Sequence, residues 1–197
     1  YFSPAEKLAM YAPEFGAQVQ SEDSYDLLLR WFEAAQATDL LDQLLSVDSG
    51  TYLPDDLLVK VDRATMAHSL EGRSPLLDHR LMEFAATLPV ELKIKNGISK
   101  YLMKRAMRGV LPDDVLDRPK MGFGVPVDEW FRGECRDYLR DILLSPQALG
   151  RGYFKPEAVR TVVEAHQRQE GNYGYRLYAL LMLELWHREY HDSPVAS

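Results

Sequence analysis

Wherever this chain carries a readable hydrophobic period, the period is helical. The clearest case is YGYRLYALLMLELWHREYH, residues 173–191, where Leu177, Leu180, Leu181, Leu185 and Trp186 recur at helical spacing and mark a core helix. The same period runs through 21–36 (Leu27, Leu28, Trp31, Phe32), 38–50, 53–69 (Leu57, Val61, Ala64), 75–88, 99–109, 127–145 and 156–169. Punctuation falls between these runs: Gly50 and Gly109 close two of them, and Ser74-Pro75 breaks another, because the residue before proline avoids the helical region. Ser74 is placed to cap the helix that follows. At the opening, Ser3, Pro4 and Glu6 form a capping-box pattern with proline in the first helical position. Only ELKIKNG alternates, and its Asn-Gly end suits a short hairpin around 91–98. No strand–helix rhythm, repeat or low-complexity tract appears. The expected fold is therefore all-α or nearly so, one helical region over residues 1–197.

Charge and motif content remove several function classes. With 23 basic against 30 acidic residues the net charge is −7, which weighs against nucleic acid as a partner. No stretch reaches the roughly 18 apolar residues of a membrane span, and no charged-then-apolar leader opens the chain, so a cytoplasmic location is expected. The single Cys135 rules out an internal disulfide and sits inside the expected 127–145 helix, where nothing marks it as a nucleophile. His68, His79, His166, His187 and His191 show no metal-ligand spacing, and no metal centre is expected. A P-loop, a GxGxxG after a strand, paired cysteines and HExxH are all missing from the sequence.

What remains is a small set of charged and glycine-rich stretches. DRPKMGFGVP, residues 117–126, puts Lys120 ahead of Gly122, Gly124 and Pro126. Glycines let backbone N–H groups approach a ligand, proline stiffens the exit, and lysine is a point charge suited to phosphate. On spacing alone the plainer reading, a tight connector, prevails. Asp56, Lys60 and Arg63 share one helix face, with Asp56 and Lys60 in the favourable order for a surface ion pair, while Asp62 and Arg63 can reach a charged site at the helix end. In SLEGRSPLLDHR, Arg73 can bridge Glu71 or Asp78 and lock a corner between two helices.

Taken as one series, LPDDLLVKVDRATMAHSLEGRSPLLDHRLMEFAATLP followed by SKYLMKRAMRGVLPDDVLDRPKMGFGVP closely resembles the C-terminal half of the synthetase domain of glutamine-hydrolysing asparagine synthetases. The resemblance runs from about Leu53 to Pro126, with the flanking helices matching loosely. It implies an α/β adenylating domain of which this chain is the helical C-terminal portion. It also implies an ATP-dependent ligase that adenylates the side-chain carboxylate of aspartate, releases pyrophosphate, and amidates the intermediate with ammonia from glutamine. Lys120 matches the family's pyrophosphate-binding loop lysine, Lys100 matches a second basic position on the same side, and Gly122 belongs to the loop. Asp62, Arg63, Glu71 and Arg73 match positions lining or bracing the site edge. ATP with Mg2+ is implied, the metal ligands lying outside this sequence. The partners implied are the small-molecule substrates, the remaining N-terminal domains and a second copy in a homodimer.

The family's SGGxDS and SGEGxDE segments and its N-terminal cysteine do not occur here, so the expectation is a fragment that is inactive by itself. It also implies a loop at 121–126 that is mobile without nucleotide. Two other readings stay open: a relative of the β-lactam-synthetase kind acting on another carboxylate, and a helical interaction module without catalysis.

Overall fold

Ser3 and Glu6 do what their spacing requires. In the computed structural model, which describes residues 2–19, 23, 25–119, 122 and 124–192, Ser3 Oγ accepts the Glu6 N–H and the Glu6 carboxylate accepts the Ser3 N–H. This reciprocal cap opens α1 (Pro4–Met10). There follow α2 (Pro13–Val19), α3 (Asp26–Ala34), α4 (Leu40–Gly50), a π-helical stretch Leu53–Leu58, α5 (Val59–Met66), a 3-10 turn Pro75–Leu77, α6 (His79–Thr87) and α7 (Val90–Lys93). A hairpin of β1 (Ile94–Lys95) and β2 (Ile98–Ser99) leads to α8 (Tyr101–Ala106) and α9 (Asp113–Asp117). The last elements are α10 (Val127–Arg132), α11 (Arg136–Leu143), α12 (Pro146–Leu149), α13 (Pro156–Gln167) and α14 (Gly174–Tyr190). Helix accounts for 67% and the hairpin is the one sheet among the described residues, so the fold is mostly helical, as the period implies. Asn96 and Gly97 both take positive φ (52° and 77°), the conformation that a two-residue hairpin turn demands.

Several boundaries differ from those the period gives. The run 53–69 begins as a π-helix, and 75–88 divides at Asp78. The Asp78 carboxylate, not Ser74, caps α6 by accepting the Arg80 N–H, and the Ser74 side chain makes no capping bond. The run 127–145 divides at Gly133, where the Trp130 carbonyl accepts N–H groups from both Gly133 and Cys135. Cys135 thus stands half-buried at the junction of two helices, not within one. Trp186 is 51% exposed and lies outside the core expected for it. Gly50 is the last residue of α4, and its role is steric: a Cβ there would lie 2.4 Å from the Trp31 ring.

The chain falls into two compact units. The first joins Tyr1–Glu22 to Gly122–Ser197; the second is Asp23–Met121. The first unit holds a continuous apolar core in which Met10, Val127, Phe131, Leu139, Leu143, Val159, Val163, Leu177, Leu180 and Leu181 are buried. Its N-terminal helices are tied on by backbone bonds from Ala12 N–H to Tyr153 O (2.9 Å) and from Lys155 N–H to Met10 O (2.8 Å). Lys155 Nζ also donates to Ala9 O, satisfying a carbonyl at the end of α1.

In the second unit α3 packs on α4, and Lys93 reaches across to Asp42 (2.5 Å), with both side chains mostly buried. Leu116 is the one buried residue of this unit among those described. No described helix is long and apolar enough to cross a membrane.

Candidate functional site

The corner after α5 is built from backbone bonds. Ser69 turns left-handed (φ 57°), its N–H bonds to Met66 O, and Leu70 N–H reaches back to Thr65 O, closing the helix end. The chain then folds onto its own helix: a Cβ on Gly72 would rest 3.6 Å from Thr65 Oγ1 and 3.7 Å from Val61 Cγ1. Gly72, between Glu71 and Arg73, thus lies against Val61 and Thr65 of α5, the helix that also carries Asp62 and Arg63. Arg73 holds Glu71 with two bonds, 3.0 and 3.3 Å. Of the two partners open to Arg73, Glu71 is the one used; Asp78 pairs instead with Arg80, whose hydrogen bonds hold its carboxyl below the usual range. The Arg73–Glu71 pair is largely exposed, as is Asp56–Lys60 at 3.4 Å, so neither contributes much to stability.

Lys100 stands elsewhere in the same unit, directly after β2, with left-handed backbone (φ 57°) at the start of α8. Non-glycine residues in that region carry local strain, which accumulates at functional sites. The next residue, Tyr101, collects cations that the sequence pattern does not single out. Lys95 lies 5.3 Å and Arg105 5.8 Å from the centre of the Tyr101 ring. Arg105 beside the phenol, opposed by partial burial and joined by Lys95, holds Tyr101 below the usual tyrosine range. The spacing of Tyr101 and Arg105, one helical turn apart in SKYLMKRAM, was the available signal.

The stretch 117–126 spans the boundary between the two units. Asp117, at its start, accepts from Arg108 at 2.7 and 2.8 Å. At its end Pro126 (φ −79°, ψ 57°) centres an inverse γ-turn, with Val127 N–H on Val125 O at 2.8 Å. Gly122 is exposed, and a Cβ on Gly122 or Gly124 would meet no described atom within 4 Å. Lys120, Met121 and Phe123 lie outside the described residues, and with them the expected loop lysine and the expected loop mobility. Asp62, Arg63, Glu71, Arg73 and Lys100 belong to the second unit, Gly122 to the first. No group of three His, Cys, Asp or Glu side chains among the described residues fits a metal ion.

Two buried polar clusters escaped the sequence reading, both in the first unit. His166, fully buried, accepts the Tyr173 N–H at Nδ1 (3.1 Å), so its Nε2 carries the proton and donates to Asp128 O (3.2 Å). Burial first, and then the Arg132 charge, push its pKa down and keep it neutral. Glu184, 4% exposed, takes Arg151 at 2.9 Å and Arg188 at 2.8 Å. Burial works to raise this carboxyl, and the hydrogen bonds from the two arginines outweigh it and hold it low.

The family model described as asparagine synthase matches residues 4–188, and the chain belongs to that family. It is 33% identical over 162 residues to asparagine synthetase (glutamine-hydrolysing) 1 of Bacillus subtilis, covering 82% of this chain and 25% of that protein. A putative asparagine synthetase of Mycobacterium bovis is 36% identical over 159 residues, 80% of this chain and 24% of its own length. The asparagine synthetase of Gallus gallus is 38% identical over 122 residues, 57% of this chain and 21% of its own. The chain thus spans about a quarter of the length of the curated relatives it matches. No solved structure matches it significantly.

Proposed function

We propose that this chain is the helical C-terminal part of a glutamine-dependent asparagine synthetase and supplies the pyrophosphate side of its adenylating site. The observation that carries the reading is the family match over 4–188, which takes in both the Asp62–Arg73 corner and the Lys120 stretch. In this reaction the aspartate side-chain carboxylate attacks the α-phosphate of ATP, and pyrophosphate leaves with the bonding pair. Ammonia then attacks the acyl-adenylate carbon, and AMP departs to leave asparagine. Negative charge gathers on the leaving pyrophosphate, so fixed cations there lower the barrier. Lys120 and Lys100 fill that role, with the backbone at Gly122 free to approach phosphate oxygens. Asp62, Arg63, Glu71 and Arg73 brace the site edge. Mg2+ would travel with the nucleotide; the described residues present no cluster that fits it, and its ligands belong to the part of the enzyme that cradles the triphosphate.

The test is pyrophosphate release by the full-length enzyme over a panel of carboxylic acids. Turnover with aspartate far above every other acid supports the reading. Preference for a different carboxylate moves the chain to another amidating or lactam-forming synthetase, and no ATP-dependent release with any acid overturns it.

A further inference from the structure

Within the first unit, α1 and α2 meet the joint ahead of α13 and one face of α14 around an open cavity of about 450 Å3. That volume falls in the range of roughly 300–1,000 Å3 typical of small-molecule sites. Its walls are aromatic and already set. Tyr11 and Phe154 pair as an isolated antiparallel bridge, and their rings stack at 6.0 Å. Phe15 meets Tyr11 edge-on at 5.1 Å and Tyr153 at 5.0 Å, and Tyr153 meets Phe154 at 6.4 Å, so the four rings hold one another in a closed circuit. Tyr153 also stacks on the buried His187 at 5.3 Å. The backbone bonds from Ala12 to Tyr153 and from Lys155 to Met10 fasten the two segments together. Such a site needs little ordering when a ligand enters.

Ala179, Leu183 and Trp186 recur at i, i+4 and i+7 along α14 and form the rest of this wall. The half-exposed Trp186, which serves no core, thereby has a surface to serve; indole is a common anchor at binding sites. The charge at the cavity has one sign. Lys7, half-buried, lines it, and no carboxylate stands among its described lining residues, in a chain whose net charge is −7.

We propose that this cavity is a binding site for a small planar aromatic acid, with the ring between the aromatic walls and the carboxylate paired with Lys7. The site is separate from the adenylating function proposed above and does not depend on it. Calorimetric titration of the full-length protein with indoleacetate tests it. Saturable binding is expected, with indoleacetamide, the same shape without the charge, bound about tenfold more weakly or worse. Cyclohexylacetate, an acid without an aromatic ring, should bind weakly as well. Lys7→Met should lower the affinity for indoleacetate to that for the amide and leave the amide unchanged. Ala179→Phe fills the cavity and should abolish binding of both, with a thermal melt showing that the variant is folded. The comparison of acid with amide needs no variant, so it stands even if a substitution disturbs folding. Absence of saturable binding, equal affinity for acid and amide, unchanged affinity in Lys7→Met, or binding that survives in folded Ala179→Phe each overturns the proposal. None of these readouts measures asparagine formation, so failure here leaves the function proposed above untouched.

Discussion

At the residue scale, three strained backbones stand out. Ser69, Lys100 and Gln169 adopt left-handed φ (57°, 57° and 62°) without being glycine. A side chain there costs roughly 1–2 kcal/mol, against roughly 0.5–1 kcal/mol of chain entropy for glycine. Ser69→Gly and Gln169→Gly should therefore each stabilise the chain by up to about 1 kcal/mol in urea unfolding, since both close a helix in the same way. Lower stability in either variant would contradict that conformation. Glu71→Ala separates role from stability: its pair with Arg73 is exposed, so the midpoint should move by no more than about 0.5 kcal/mol. An accompanying loss of synthesis would then report on the site itself. Asn-Gly announced its positive φ in the sequence; serine, lysine and glutamine at the same backbone angle carry no such mark, and the strain at Lys100 was invisible until the hairpin before it had been placed.

Elements were legible as far as their faces are continuous. Residues 127–145 read as one helix because Phe131, Leu139 and Leu143 all serve the same core; the break at Gly133 leaves that pattern nearly undisturbed. The period could not foretell the buried ions either, since Glu184 lies among the leucines of α14 and its partner Arg151 is far away in sequence. Removing Glu184 takes away a buried carboxylate that both arginines contact, leaving Arg151 with Asp192 and Arg188 with Ser145 Oγ, so Glu184→Ala should cost about 1–3 kcal/mol. The pH dependence follows from the sign of the shift. The folded carboxyl titrates below its ordinary 4.5, so the contribution is complete above that value and is lost as pH falls through the folded pKa. Thermal melts of wild type should decline below pH 4.5, and Glu184→Gln should remove that part of the decline. A decline unchanged in Glu184→Gln would assign acid sensitivity to other carboxylates.

For the whole molecule, the helical class follows from the period alone, whereas the division into two units does not, because a period records faces and not which faces meet. The two units bury their chains very unequally. In hydrogen exchange, amides of α13 and α14 should be the slowest, and those of α5 to α8 should exchange orders of magnitude faster. Comparable protection in both units would mean that the second has a core its exposed leucines do not reveal. The residues of the proposed site were legible as a series long before any could be placed, because the spacing of whole blocks is more specific than any one turn. The measurement that tests the central claim most directly is Lys120→Ala in the full-length enzyme, with asparagine formation and glutamine hydrolysis followed in the same sample. Loss of a fixed cation at the leaving group should lower synthesis by roughly 10²–10³-fold while glutamine hydrolysis persists. Equal loss of both activities, or of neither, would contradict the role given to this lysine.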